Sequence, residues 1–182
     1  MNESNILGFS SFTLPILTDS RGEFRTWFAV QNIGTDLSNF TVMQSNISKS
    51  VKSVIRGIHF SDATYEQTKI ITCVSGAIRD YAIDLRTQSK TFGMYDSVEL
   101  SENNGRTAVL KHGLGHAFEV LSETATIVYL LSSQWNPSKE FTINPFDSEL
   151  AISWLTQKPI VSDRDREAKS LKYFRKSGNL IM

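Results

Sequence analysis

The sequence has few residues of several kinds, and each scarcity excludes a class of protein. It contains one cysteine, Cys73, among 182 residues, so neither an internal disulfide nor a multi-cysteine zinc site can form. A single thiol within the apolar run 70–74 is typical of a small buried strand residue in a reducing cytoplasm. Basic and acidic residues number 19 each. This balance gives no overall field that would favour nucleic acid or an anionic membrane as a partner.

Long apolar runs are also missing. Residues 1–19 lack the basic segment and continuous apolar core of a secretory signal, and no apolar run approaches the length that spans a bilayer. With 182 residues, the chain is near the usual size of one domain and can bury a substantial core. We therefore expect one domain over 1–182, located in the cytoplasm and without a membrane partner.

Helical periodicity is scarce, because apolar residues rarely recur at the spacing of a helix. Short β-branched segments alternate instead with glycine, asparagine, serine and aspartate, and Gly76, Gly93, Gly105 and Gly113 are placed as turn residues. This pattern predicts a mainly β fold, a sandwich or barrel, for which a jelly roll is a natural form. The predicted strands are 9–14, 22–29, 40–48, 53–60, 68–74, 77–85, 95–100, 107–110, 117–121 and 125–132.

Two segments are predicted to be helical. One is short, at 32–37, and the other covers 163–174 within the charged C-terminal segment 163–182. Acidic residues, including Asp163 and Asp165, lie among the basic ones there. We interpret this segment as a solvated helix face rather than a site for a polyanion.

The stretch 53–60 places Arg56 and His59 in an otherwise apolar run. Both side chains cost free energy on a strand face unless they are paired or contact a ligand. Regular alternation puts them on opposite faces of the strand. Both can reach one cavity only if the strand bends or bulges, and Gly57 is the obvious place. We expect His59 to carry out proton chemistry.

Strand parity predicts that further polar side chains point into the barrel with apolar neighbours: Asp80, His116 and Tyr129. Lys69, on the next predicted strand after His59, adds a cation. A histidine base, a phenol and an ammonium that stabilises an enolate oxygen support proton abstraction next to a carbonyl. A base and an acid on opposite faces of one carbon would invert its configuration.

A metal site is the less favoured interpretation. His112, His116 and Glu119 lie within eight residues and could bind zinc from one helical face. Glycines at 113 and 115 make that helix improbable, and the residue two after His59 is Ser61 rather than a second histidine. We therefore predict no metal.

Taken together, the motifs resemble the nucleotide-sugar 3,5-epimerase family over residues 19–165. The most specific element is the arginine-glycine-aliphatic-histidine motif, followed at family-like intervals by lysine, histidine and tyrosine. The matching stretches are DSRGEF at 19–24, QSN at 44–46, IRGIHF at 55–60, EQTKI at 66–70, YAIDLR at 81–86, KTFG at 90–93, VELS at 98–101, GLGHAF at 113–118 and VLSETA at 120–125.

The resemblance implies a cupin-type jelly-roll barrel with short peripheral helices, a homodimer, no cofactor and a nucleotide-diphosphate sugar as substrate. It implies that His59 is the catalytic base, Tyr129 the acid on the opposite face and Lys69 the residue near the keto oxygen. Asp165 is implied as the carboxylate that supports His59, with Asp163 as a nearby competitor.

The resemblance also implies a set of pocket and substrate contacts. These are Asp80 and His116 lining the pocket, Arg56, Gln44 and Asn46 on the nucleotide diphosphate, Arg21 and Phe24 reaching the nucleotide from a neighbouring subunit, Trp135 as a pocket aromatic and Glu140 as a carboxylate that meets the base.

The chain departs from the family pattern at 60–61, 111–115 and 130–133. At these positions the chain is more similar to the branch of the family whose members make unusual deoxysugars and often act at only one carbon. The resemblance thus implies an epimerase that inverts C3, C5 or both of a nucleotide-linked 4-keto-6-deoxyhexose, with dTDP as the expected nucleotide. A 3,4-ketoisomerase on the same substrate class and a jelly roll that binds a sugar nucleotide without turnover remain alternatives.

Overall fold

Two antiparallel β-sheets face each other in the computed structural model, which describes residues 2–30, 37 and 40–181. In spatial order, the larger sheet consists of β1 (Asn2–Glu3), β2 (Phe9–Thr13), β10 (Arg106–Leu110), β7 (Lys69–Ser75), β12 (Thr124–Leu131) and β5 (Gln44–Val51). The smaller sheet consists of β13 (Glu140–Thr142), β6 (Ile55–Ser61), β11 (Leu114–Val120), β8 (Ala77–Asp84) and β9 (Tyr95–Ser101). Strands β3 (Ile16–Asp19) and β4 (Gly22–Arg25) form a separate hairpin. The predicted mainly β jelly-roll architecture is confirmed.

The principal core lies between the two sheets. Side chains alternate along each strand, so every second residue of β8 and of β12 points inward. Ile78 and Ala82 of β8 belong to this cluster with Ala125 and Ile127 of β12, and none is more than 2% exposed. Burial of large apolar side chains stabilises the fold by about 1.5–3 kcal/mol each. The same packing fixes the polar side chains that share the inner layer.

The C-terminal part of the chain covers the outer face of the smaller sheet. Ile58 and Ile83 on that face pack with Leu150 and Phe174 in a second buried cluster. Two short helices, α1 (Asp163–Arg166) and α2 (Leu171–Ser177), lie in this covering segment. Among the described residues, none of the helices is long and apolar enough to cross a membrane.

A buried carboxylate fastens this cover to the sheet. Glu119 is 1% exposed, and it accepts the Tyr81 hydroxyl at 2.5 Å and the backbone N–H groups of Leu155 and Thr156 at 3.0 and 3.1 Å. The donors offset the cost of burying the charge. The cover is therefore held at the point where it approaches β11.

The prediction of one helix over 163–174 is wrong, because α1 and α2 are separate. Between them, the Lys169 carbonyl accepts the Asn144 N–H at 3.0 Å, which draws residue 169 into a bridge with residue 143. Ser170 then caps α2 by accepting the Tyr173 N–H at 3.2 Å. The helix predicted at 32–37 falls, apart from residue 37, outside the described residues.

All ten predicted strands overlap observed ones, although three of them differ by three or four residues at one or both ends, among them the strand predicted at 117–121, which lies at Leu114–Val120. The strand predicted at 40–48 lies at Gln44–Val51, and the one predicted at 22–29 ends at Arg25. Trp27 and Phe28 leave the hairpin because they pack with Phe40 in a third cluster beside the larger sheet. The short strands β1, β3 and β13 were not predicted.

Candidate active site

A cavity of about 390 Å³ opens between the two sheets. Strands β5, β7 and β12 of the larger sheet form one wall, and β6 and β11 of the smaller sheet form the other. Of the predicted site residues, those that line the cavity are Gln44, Asn46, Arg56, His59, Lys69, His116, Tyr129, Trp135 and Glu140. The other lining residues were not predicted as site residues; they are Ile47, Ser48, Phe118, Ile127 and Leu131.

Strand β6 bulges at Gly57, and the bulge brings two of these residues together. The register with β11 shifts between the pair His59–His116 and the pair Arg56–Phe118. Arg56 and His59 consequently both line the cavity despite their odd spacing. Gly57 has φ 120°, and a Cβ there would lie 2.6 Å from the His116 carbonyl oxygen. The Gly57–Ile58 peptide bond is cis.

His59 is paired with a buried carboxylate. Its Nε2 lies 2.9 Å from Oδ1 of Asp165, whose Oδ2 accepts the Gly57 N–H at 3.4 Å. Burial raises the pKa of Asp165, but the hydrogen bond and charge of His59 and the Gly57 N–H outweigh burial, so the pKa lies below its ordinary value. The ionised carboxylate favours a proton on Nε2 and leaves Nδ1 as the acceptor. Asp163 is exposed at the start of α1, and its carboxylate does not contact His59 in the described structure.

A second histidine–carboxylate pair lies in the inner layer. His116 Nε2 is 2.7 Å from Asp80 Oδ1, and the two residues are 8% and 0% exposed. Asp80 does not line the cavity itself but reaches it through His116. The pair therefore fixes the His116 ring at the cavity wall.

Lys69 places a buried amino group at the same wall. Burial lowers the pKa of Lys69, while the charges of Glu140 and Asp80 act in the opposite direction. Across the parts of the chain that the structure describes, its Nζ has no hydrogen bond or ion pair. A desolvated donor without a fixed partner is available to a ligand oxygen.

Tyr129 projects from β12 into the cavity, opposite Asn46 of β5. Burial is the main reason that the pKa of Tyr129 is raised, with a further contribution from the charge of Glu140; Arg56 and a hydrogen bond with Asn46 oppose both. The phenol is therefore protonated at neutral pH. A protonated phenol facing the cavity can donate a proton.

The rim of the cavity is held by hydrogen bonds among the remaining polar residues. Gln44 accepts the Trp135 N–H at 2.7 Å and donates to Asn46 at 2.9 Å. Glu140 accepts the Trp135 indole N–H at 3.1 Å and approaches an Arg164 nitrogen at 3.5 Å. These contacts orient an exposed indole at the cavity mouth.

Arg21 and Phe24 do not reach the cavity of their own chain. They line a groove on the β3–β4 hairpin, where Arg21 bonds Asp19 and Phe24 is 67% exposed. Their implied contact from a neighbouring subunit stays a prediction.

The residues weighed as a metal site are dispersed. His116 bonds Asp80 on the inner face of β11, Glu119 bonds Tyr81 on the outer face, and His112 approaches the Ala63 carbonyl. No group of three or more histidine, cysteine, aspartate or glutamate side chains within 2–30, 37 and 40–181 is arranged to hold a metal ion.

Comparisons with known proteins indicate the family to which this chain belongs. A family model described as dTDP-4-dehydrorhamnose 3,5-epimerase matches residues 3–173. A protein of that name from Mycolicibacterium smegmatis is 38% identical over 181 residues, which are 98% of this chain and 89% of the relative.

Solved structures are similar over the whole chain. A 4-keto-6-deoxy sugar epimerase from the novobiocin biosynthetic gene cluster of Streptomyces spheroides superposes with a TM-score of 0.95 and 37% identity, covering 100% of this chain and 92% of that one. A 3′-monoepimerase from Streptomyces bikiniensis in complex with dTDP-quinovose gives 0.92 and 34%, covering 100% and 93%. The chain belongs to the dTDP-4-dehydrorhamnose 3,5-epimerase family.

Proposed function

We propose that this protein is an epimerase that inverts C3, C5 or both of a dTDP-linked 4-keto-6-deoxyhexose. One observation carries the proposal: a carboxylate-backed histidine and a protonated tyrosine line one cavity together with Lys69, which is buried and has no hydrogen bond or ion pair to any residue that the structure describes. The names of the relatives, which include a 3′-monoepimerase and a 4-keto-6-deoxy sugar epimerase, support the substrate class.

The chemistry follows from the acidity of carbons next to a ketone. Nδ1 of His59 takes the proton from C3 or C5, and the electron pair moves onto the 4-keto oxygen to form an enolate. Lys69 stabilises that oxygen. Tyr129 then donates a proton to the opposite face of the carbon, which inverts it. The ketone itself supplies the acidity, so the proposal requires no cofactor.

The nucleotide diphosphate serves as a handle remote from the reacting carbon. Arg56 would contact the diphosphate, Gln44 and Asn46 would bind its flank, and Trp135 offers an aromatic face at the mouth. Binding energy gained there orients the sugar against His59.

We further propose that residues 1–182 form a single domain and that the protein is a cytoplasmic homodimer. The unpaired thiol of Cys73 fits a reducing compartment. The hairpin with exposed Leu17 and Phe24, 62% and 67% exposed, offers an apolar contact to a second copy.

Incubation with dTDP-4-keto-6-deoxyglucose in deuterated water, followed by NMR, tests the proposal. We expect deuterium at the inverted carbon, no exchange with His59→Ala, and exchange without inversion with Tyr129→Phe. Tyr173→Phe, in an exposed ring, is the matched control and should behave as wild type. A carbonyl moved to C3 would instead indicate a ketoisomerase, and unaltered ring hydrogens would indicate a binding module.

A further inference from the structure

Ser162 lies at the start of the short helix that carries Asp165. It is the N-cap of α1, with φ −66° and ψ 155°, and its hydroxyl accepts the backbone N–H of Asp165 at 3.2 Å. Its carbonyl also accepts the Arg166 N–H at 2.9 Å. With only four residues in α1, these two bonds are a large part of what fixes the first turn.

Asp165 occupies the third position of α1, where an acidic side chain usually folds back onto the N-cap residue. Its carboxylate instead contacts His59 Nε2 at 2.9 Å and the Gly57 N–H at 3.4 Å. Ser162 therefore holds the backbone of Asp165, and its side chain is also among the hydrogen-bonding groups that lower the pKa of the Asp165 carboxyl, while the two carboxylate oxygens reach Gly57 and His59. A rotation of this peptide would withdraw the carboxylate from the ring.

Asp165 borders a groove beside the helix, which is also lined by Arg56, His59, Ser162 and Arg164 and by the apolar residues at 54–55 and 160–161. Arg164 is directed to Glu140 instead. The Ser162 hydroxyl is thus the side chain that orients Asp165 from within its own helix.

We propose that Ser162 is a positioning residue that acts through Asp165 to hold the His59 ring and its Nε2–H tautomer. The inference rests on the proposed epimerase function. It adds a hydroxyl that never touches substrate yet sets how well the base is presented.

The test compares two serines that make the same bond. Ser162→Ala should lower kcat for epimerisation about fivefold, the effect of one typical cap, with little change in KM. Ser162→Thr keeps the acceptor and should restore most of the rate. Ser170 also accepts an N–H at 3.2 Å, from Tyr173, and neither residue lines the cavity. Ser170→Ala should therefore lower thermal stability similarly and leave kcat unchanged.

A double variant distinguishes positioning from simple loss of stability. In an Asp165→Asn background, Ser162→Ala should lower kcat less than twofold, because the route through Asp165 is already broken. An unchanged kcat in Ser162→Ala, or a full fivefold loss in the Asp165→Asn background, would overturn the inference.

A measurement without turnover separates this inference from the proposed function. Nitrogen-15 NMR of the ring nitrogens should show the Nε2–H form of His59 in the wild type and a mixture of tautomers in Ser162→Ala. His112 and His116 serve as internal references. If the protein exchanges no sugar hydrogen, the proposed function fails while this spectrum still tests the role of Ser162; an unaltered His59 spectrum contradicts that role directly.

Discussion

Two aspartates in one short helix differ in what their carboxylates touch. Asp165 is 3% exposed and contacts His59, whereas Asp163 is exposed two residues earlier. The sequence alone left the choice between them open, because a position within a four-residue helix does not reveal which carboxylate faces the sheet. We propose Asp165 as the partner of the base on this contact.

Replacing these two aspartates separately tests that assignment. Asp165→Asn should lower kcat for deuterium exchange by at least about a hundredfold, because an amide cannot stabilise the imidazolium that forms after proton abstraction. Asp163→Asn removes the same charge from the same helix and should change kcat less than about twofold. Rates measured by NMR in deuterated water provide the comparison, and equal losses in both variants would rule out a specific role for Asp165.

At the level of strands and loops, the bulge in β6 is the element on which the cavity depends. Regular alternation would place Arg56 and His59 on opposite faces of the strand, and the bulge brings both into one site. The bulge also requires a residue without a side chain at position 57. The hairpin residue Gly22 has a similar φ, 122°, but a Cβ there would meet nothing within 4 Å. Both positions would strain an alanine backbone, but only at Gly57 would the added Cβ meet other atoms. Comparing alanine variants at the two positions therefore separates backbone strain from steric exclusion.

Alanine at these two positions should destabilise the protein to different extents. Gly22→Ala should cost about 1–2 kcal/mol, the strain of an L-residue at positive φ. Gly57→Ala should cost about 1–3 kcal/mol more, because its Cβ meets the backbone of β11. Urea unfolding measures both values. Similar losses for both variants would mean that β6 can relax around an added methyl group.

The loop after β8 depends on another buried carboxylate, Asp84. It accepts hydrogen bonds from Arg86 at 2.8 Å, from Ser89 at 2.5 Å and from Thr91 at 2.6 Å. Burial raises the pKa of Asp84, but these hydrogen bonds outweigh burial and lower the pKa to about 2. The carboxylate thereby closes residues 86–91 against the end of the strand.

The lowered pKa of Asp84 predicts that part of the free energy of unfolding depends on pH in the acidic range. Since the pKa is lower in the folded than in the unfolded chain, Asp84 contributes about 2 kcal/mol above pH 4, and the contribution is lost as the pH falls toward 2. Asp84→Asn should reduce by about this amount the loss of unfolding free energy that urea curves measure between pH 5 and 2. Asp19→Asn, at an exposed ion pair, should leave the slope unchanged. A slope in Asp84→Asn as steep as that of the wild type would contradict the prediction.

For the whole molecule, features that depend on local periodicity could be predicted from the sequence, whereas features that depend on contacts between distant residues could not. The inward direction of Asp80, His116 and Tyr129 follows from the two-residue period of a strand, which needs no knowledge of the neighbouring strands. The break between α1 and α2 depends on Lys169 meeting Asn144, a contact of the folded chain that no local pattern contains. Asp165 lies 106 residues from His59, so only the family resemblance suggested their pairing.

The spacing Ser162-x-x-Asp165 was nevertheless visible as a helix start, since serine followed three residues later by an acidic residue is a capping signature. The prediction of one solvated helix over the charged segment took no account of this signature. The apolar lining residues Phe118, Ile127 and Leu131 were missed for a different reason. Inward-facing apolar residues on strands are far more often core than cavity wall, and only the opening between the sheets distinguishes them.

Arg21 and Phe24 bear on the assembly, because they lie on a hairpin that pairs only with itself among the described strands. If this hairpin completes the site of a second copy, then residues from two chains make one active site. The double variant Arg21→Ala/Phe24→Ala would lack the contact that its hairpin makes in the site of the other subunit. His59→Ala would lack the base in its own site. Each variant should be nearly inactive alone.

Mixing these two variants tests the shared site. After joint unfolding and refolding, half of the dimers should be mixed, and one of the two sites in each should combine an intact base with an intact hairpin. Activity should recover to about a quarter of the wild-type value, half of the dimers times half of their sites. Refolding each variant separately is the control, and sedimentation confirms that dimers form. If the hairpin serves its own chain, no mixed dimer contains a complete site, and activity stays at the level of the separate variants.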